Sequence, residues 1–136
     1  MGKGPVIRVG DRLRVFDPDT VLACEAAANA HAKTQKSFRF QRRLMDGGAC
    51  EASAFSLAGY PTVCLAFPLG NYHNVGTRGL APEFIDESDF RNGVEALGAF
   101  AVHGVSPAAV RRRIAARLDS RFTAADAARL RRTANR

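Results

Sequence analysis

At 136 residues, 46% hydrophobic and 24% charged, the chain can bury one real core and is too short for two. No apolar run approaches the roughly 20 residues of a membrane span, and no signal-peptide core follows Met1-Gly2-Lys3-Gly4. The expectation is a cytoplasmic protein without membrane contact. The net charge of +7 is unevenly placed: residues 1–104 hold eleven Lys+Arg against eleven Asp+Glu, while residues 105–136 hold nine Arg against only Asp119 and Asp126. The whole excess therefore lies beyond a composition shift at Gly104 to Ser106, which divides a first unit (1–104) from a tail (105–136). Three cysteines at irregular spacing make neither a disulfide framework nor a metal pattern, and read as thiols in a reducing compartment.

In chain order, Pro5 to Val9 reads as a strand with a turn at Gly10-Asp11, and Leu13 to Phe16 as a second short strand stopped by Asp17-Pro18. Thr20 or Asp19 can cap an alanine-rich helix running to about Lys36, with Leu22, Ala26 and Ala30 at helical spacing. Ser37 to Leu44 alternates Phe38 and Phe40 with Arg39 and Gln41, the pattern of a strand with one wet face. A Gly47-Gly48 loop opens a short apolar helix from Cys50 to Ala58, which Gly59 ends as a left-handed cap. Thr62 to Phe67 is nearly all apolar, as expected of a strand buried on both faces. Pro68 and Gly70 break it, and the next loop presents Asn71, Tyr72, His73 and Asn74. A histidine just past the carboxyl end of a buried strand stands where open α/β sheets place ligands.

From Asn74 to Ile85 the chain reads as loop. Asp86 or Ser88 then caps a helix in which Phe90, Val94, Leu97 and Ala101 form one stripe, with Gly104 as its stop. Ser106-Pro107 opens a tail helix with a narrow seam of Val110, Ile114 and Leu118. Thr123 with Asp126 resembles a capping box. Arg111, Arg112, Arg113, Arg117, Arg129, Arg131 and Arg132 make the two tail helices basic. Charge runs of this kind are usually solvated faces. Contact with nucleic acid or another acidic partner is the weaker alternative, because Phe122 alone could stack on a base.

Several of these segments carry a family resemblance. Gly47-Gly48-Ala49-Cys50-Glu51-Ala52, Gly59-Tyr60-Pro61-Thr62 and Asn71-Tyr72-His73 resemble, in that order, the end of the catalytic domain of zinc-dependent exopeptidases, the superfamily of the tetrahedral and leucyl aminopeptidases and carboxypeptidase G. Gly2-Lys3-Gly4-Pro5-Val6-Ile7 is similar to a segment those enzymes carry earlier, so the likeness covers roughly residues 1–90. It implies an α/β fold, a partial mixed sheet flanked by helices in a three-layer arrangement, extended here by the basic helical tail. It also implies two zinc ions sharing a bridging carboxylate, hydrolysis of an N-terminal peptide or amide bond, a peptide substrate, and assembly into a homo-oligomer or with a missing N-terminal half.

By that resemblance His73 is the final histidine ligand of the metal pair, with Asn71 or a nearby carboxylate fixing its tautomer. Gly47, Gly48, Glu51, Asn71 and Tyr72 would line the substrate site. Glu51 stands where relatives often carry Asp, and reads equally well as a first-turn acid favoured by the helix dipole. The family's other ligands, a His-x-Asp motif, a Glu-Glu pair and an aspartate, have no counterpart here. One histidine does not hold a catalytic zinc, for which three protein ligands are usual. The expectation is a truncated catalytic domain that alone does not hydrolyse peptides. Two rivals are a non-catalytic interaction module with a basic tail, and a cysteine hydrolase pairing Cys50 with His73.

Overall fold

The run Val6-Ile7-Arg8-Val9, rich in β-branched residues, forms the central strand of the main sheet, β1 (Val6–Gly10). In the computed structural model, which describes residues 1–104, 106–121 and 123–134, β1 pairs in parallel with β2 (Gln41–Leu44) and antiparallel with β3 (Cys64–Ala66), giving the order β2-β1-β3. Helix α1 (Pro18–Thr34) connects β1 to β2, and α2 (Glu51–Leu57) precedes β3. Two-residue strands β4 (Leu69–Gly70) and β7 (Phe84–Ile85) pair antiparallel, enclosing a 3-10 turn (Tyr72–Asn74) and the hairpin of β5 (Val75–Gly76) with β6 (Gly79–Leu80). Helices α3 (Glu87–His103), α4 (Pro107–Asp119) and α5 (Ala124–Ala134) complete the chain. The result is a mixed α/β architecture, as expected.

Strand alternation splits the sheet into two unlike faces. Ile7 points to the helical side and joins Phe16, Val21, Cys24, Ala28, Phe38, Ala52 and Ala96 in one core, with Val9 and Leu65 packed against it. Burial of each large side chain there contributes about 1.5–3 kcal/mol. On α1 the buried positions are Thr20, Val21, Ala23, Cys24, Ala27 and Ala28. Leu22, Ala26 and Ala30 lie half-buried on its flank, the last two facing α4.

Several expectations are corrected by where the backbone amides go. Leu13 to Phe16 is no strand: the Asp11 carboxylate accepts from Leu13 N (2.9 Å) and Arg14 N (3.2 Å), turning the chain, and only Val15 bridges to Gly10. Helix α1 is capped by Asp17, which accepts from Thr20 N at 2.7 Å, because Pro18 at the first helical position has no amide to satisfy. The strand expected over 37–44 begins only at Gln41. Phe38 N bonds Gln35 O and Arg39 N donates to Asn92 Oδ1, so these amides never reach the ladder, although Phe38 is buried and Phe40 packs on it as the alternation requires. Strand β3 is three residues long and half-buried, at the sheet edge and not sandwiched between layers. The 74–85 segment contains the β5–β6 hairpin and β7 in place of a plain loop.

The other boundary signals hold. Asp86 accepts from Ser88 N and Asp89 N at the start of α3, Gly59 has φ +88° just past α2, Ser106 caps α4, and Thr123 and Asp126 bond reciprocally. Helix α3, however, turns its apolar stripe outward. Asp89, Gly93, Ala96 and Ala99 are its buried side, while Phe90, Val94 and Leu97 are 50%, 57% and 57% exposed. Helix α4 rests on α1 through the buried Val110 and the Arg111–Asp19 ion pair, so the first tail helix is docked on the main unit. Phe122 lies outside the described residues. Among the described residues no single helix is long and apolar enough to cross a membrane.

Candidate functional site

The turn after β4 is held in an unusual backbone state. Asn71, His73 and Asn74 all have positive φ, at 50°, 58° and 60°. Left-handed conformations at non-glycine residues cost energy and persist where surrounding bonds over-determine them. Here Asn71 Nδ2 donates to Pro82 O (2.9 Å), Glu83 N donates to Asn74 Oδ1 (2.9 Å), and His73 N donates to Glu83 Oε2 (2.8 Å). The Glu83 carboxylate therefore props the backbone of His73. Asn71 is committed to Pro82, so it does not orient the imidazole. The imidazole packs beside the Tyr72 ring, centroids 4.1 Å apart and planes tilted by 48°.

A cavity of ≈ 470 Å³ opens beside this turn, on the sheet face away from the helices. Gly47, Gly48 and Tyr72 line it, with Val6 and Arg8 of β1, Gln41 and Arg43 of β2, and Ala66 to Leu69 from the end of β3 to the start of β4. Of the six residues expected at the site, these three share the cavity. Asn71 and His73 sit on the adjoining turn, and Glu51 is an exposed first-turn acid of α2 outside it. Gly47 and Gly48 meet nothing that an added Cβ would touch, so they act as an open rim.

The rim is positioned by Asp11. Its carboxylate, 5% exposed, accepts from Cys50 N (2.9 Å) and Ser53 Oγ (2.6 Å) as well as from its own turn, and Arg12 N donates to Gly48 O (3.0 Å). The Ser53 hydroxyl above all, with the three amides, holds the Asp11 carboxyl well below the usual carboxylate range. Asp89, fully buried, accepts from Gly4 N (2.6 Å) and Gly2 N (2.8 Å), fixing the lead into β1. Neither role is signalled locally: the partners lie 39 and 42 residues from Asp11, and 85 and 87 from Asp89.

Cys64 packs near Cys50, and burial pushes its thiol up to about 11. A thiol so raised is mostly protonated at neutral pH, the opposite of an activated nucleophile. His31 bonds Glu95 (3.1 Å) between α1 and α3 and packs edge-on against Phe38, which is a structural role. Among the described residues no three His, Cys, Asp or Glu side chains converge to hold a metal ion. The donor set present therefore does not fit a catalytic zinc, which takes three protein ligands and an open position.

No family model and no curated protein matches the sequence. Solved structures do. Over 74% of this chain, PhTET1-12s, described as a dodecamer, superposes with TM-score 0.59 at 26% identity. A TET aminopeptidase from a marine sediment archaeon of the Thaumarchaeota gives 0.57 at 20%, and an aminopeptidase from the archaeon Desulfurococcus kamchatkensis 0.58 at 22%, each over 74% of the chain. The fold is TET-aminopeptidase-like. The TET likeness supports the expected exopeptidase-like fold. The chain spans 26–27% of the length of these structures.

Proposed function

We propose that this chain is a portion of an aminopeptidase-type zinc metallopeptidase, in which His73 is the metal ligand this portion supplies and the loop around Tyr72 borders the bound peptide. The supporting observation is the braced left-handed turn that presents His73 beside the cavity, in a fold that superposes on TET aminopeptidases. Strain retained at three consecutive-turn residues is characteristic of functional loops. Because the described residues do not assemble three ligands, hydrolysis of an N-terminal peptide bond requires donors from elsewhere, and the chain by itself is inactive. By the same reading it forms a homo-oligomer, PhTET1-12s being described as a dodecamer.

Metal analysis of the purified chain beside His73→Ala tests this. The expected result is far less than one zinc per chain in both, with no release of p-nitroaniline from aminoacyl anilides. Stoichiometric zinc that disappears in His73→Ala would mean that copies of the chain complete a site between them, and the proposed inactivity would fall. Stoichiometric zinc that survives the substitution would remove His73 from its assigned role.

A further inference from the structure

The same cavity carries a charge arrangement that the role proposed for His73 does not draw on. Arg8 on β1 and Arg43 on β2 are register partners in the parallel ladder, on strands about 4.8 Å apart. Both line the open cavity. Arg42, one residue away, belongs to the opposite face and reaches Glu25 of α1 at 3.6 Å. Like charges directly across a ladder destabilise a sheet unless something neutralises them. Elsewhere Arg91, Arg42 and Arg111 each face a carboxylate, but among the described residues Arg8 and Arg43 form no ion pair or side-chain hydrogen bond. Asp46 is the one acid in the cavity lining, and it pairs with neither.

We infer that this cleft is a binding site for a small organic oxyanion, a carboxylate or phosphate head held between the Arg8 and Arg43 guanidiniums with an apolar body against Val6, Ala66, Phe67 and Leu69. Guanidinium forks match carboxylate and phosphate geometry two bonds at a time. Apolar walls lower the local dielectric and focus the positive potential on the cleft. A volume of ≈ 470 Å³ lies in the range of small-ligand sites. An anion there would remove the repulsion that the bare pair imposes on β1 and β2. The inference stands whether or not the chain takes part in peptide hydrolysis, since its test reads binding alone.

Calorimetric titration with phenyl phosphate and with benzoate, and with benzyl alcohol as the uncharged match, decides it. At least one of the two anions should bind saturably, in roughly the millimolar range or tighter, and benzyl alcohol should not. Binding by both marks general oxyanion recognition, and by one alone marks that head group. Arg8→Gln and Arg43→Gln should each weaken binding about tenfold or more, while Arg117→Gln, on the exposed side of α4, leaves it unchanged. In the wild-type chain the titration should shift the Arg8 and Arg43 Nε–Hε resonances, a readout that needs no variant to fold. Benzyl alcohol binding as well as the anions would make the cleft an apolar docking face. Equal weakening by Arg117→Gln, unmoved Arg8 and Arg43 resonances, or no saturable binding would each overturn the inference.

Discussion

Asp11 shows how one carboxylate can organise a site it does not enter. It ties the turn after β1 to the first turn of α2, and so sets the height of the Gly47-Gly48 rim. Its carboxyl titrates below the unfolded value of 3.8, so its stabilising effect is complete above about pH 4 and is lost as pH falls below that. Thermal melts from pH 7 to pH 2 should show Asp11→Asn melting below wild type at pH 7, with the gap closing as the solution is acidified below pH 4. A gap independent of pH would mean that the ionised carboxylate is not what holds the turn. The sequence shows Gly10-Asp11 as a turn and no more. Its bonds to Cys50 and Ser53 cross about forty residues and leave no local periodicity. The Asn71 to Asn74 loop was legible because Pro68 and Gly70 punctuate it, whereas the Glu83 brace on His73 depends on a hairpin that no alternation announces.

At the scale of elements, most caps were readable, that of α1 excepted, and lateral neighbours were not. Asp86, Ser106 and the Thr123–Asp126 pair act within four residues, so sequence alone places them. Whether β3 is sandwiched or sits at an edge depends on what else pairs with it, which its apolar run cannot say. The approach of the N-terminal segment to the β2 lead-in is another long-range fact. Gly4 has φ +87°, and a Cβ there would fall 2.0 Å from the Arg39 carbonyl oxygen, a backbone atom that cannot swing aside. Its N–H also donates to Asp89. Gly4→Ala should therefore cost about 3 kcal/mol or more in urea unfolding. Gly98, in α3 with open space around it, is the control: Gly98→Ala should gain roughly 0.5–1 kcal/mol from helix propensity. Equal effects at the two positions would contradict the close approach.

For the whole molecule, the decisive feature is that α3 shows its apolar stripe to solvent beside an open sheet edge. Phe90 rests on Phe67 just past β3, and Val94 and Leu97 continue the stripe. Contiguous apolar surface of this kind marks an association face, and an unpaired edge strand offers the matching backbone groups. Light scattering after size exclusion should give a mass above the 14.6 kDa of one chain, and Leu97→Glu should return it toward that value. A wild-type mass of one chain would remove the homo-oligomer reading. The helical period of the stripe was plain in the sequence. Its outward aim was not, because the small residues Gly93, Ala96 and Ala99 form the buried side of α3, which packs on α1.

The clamp of Asp89 on Gly2 and Gly4 also bears on how the protein is handled. Met1 lines the cleft, and the two bonds immediately behind it prevent that end from swinging away. Any residues fused ahead of Met1 emerge at the cleft mouth, where an acidic linker or a polyhistidine tag would compete for the arginines or cover the Tyr72 rim. Purification handles and fluorophores therefore belong after α5, on the opposite terminus, if the cleft is to be read empty.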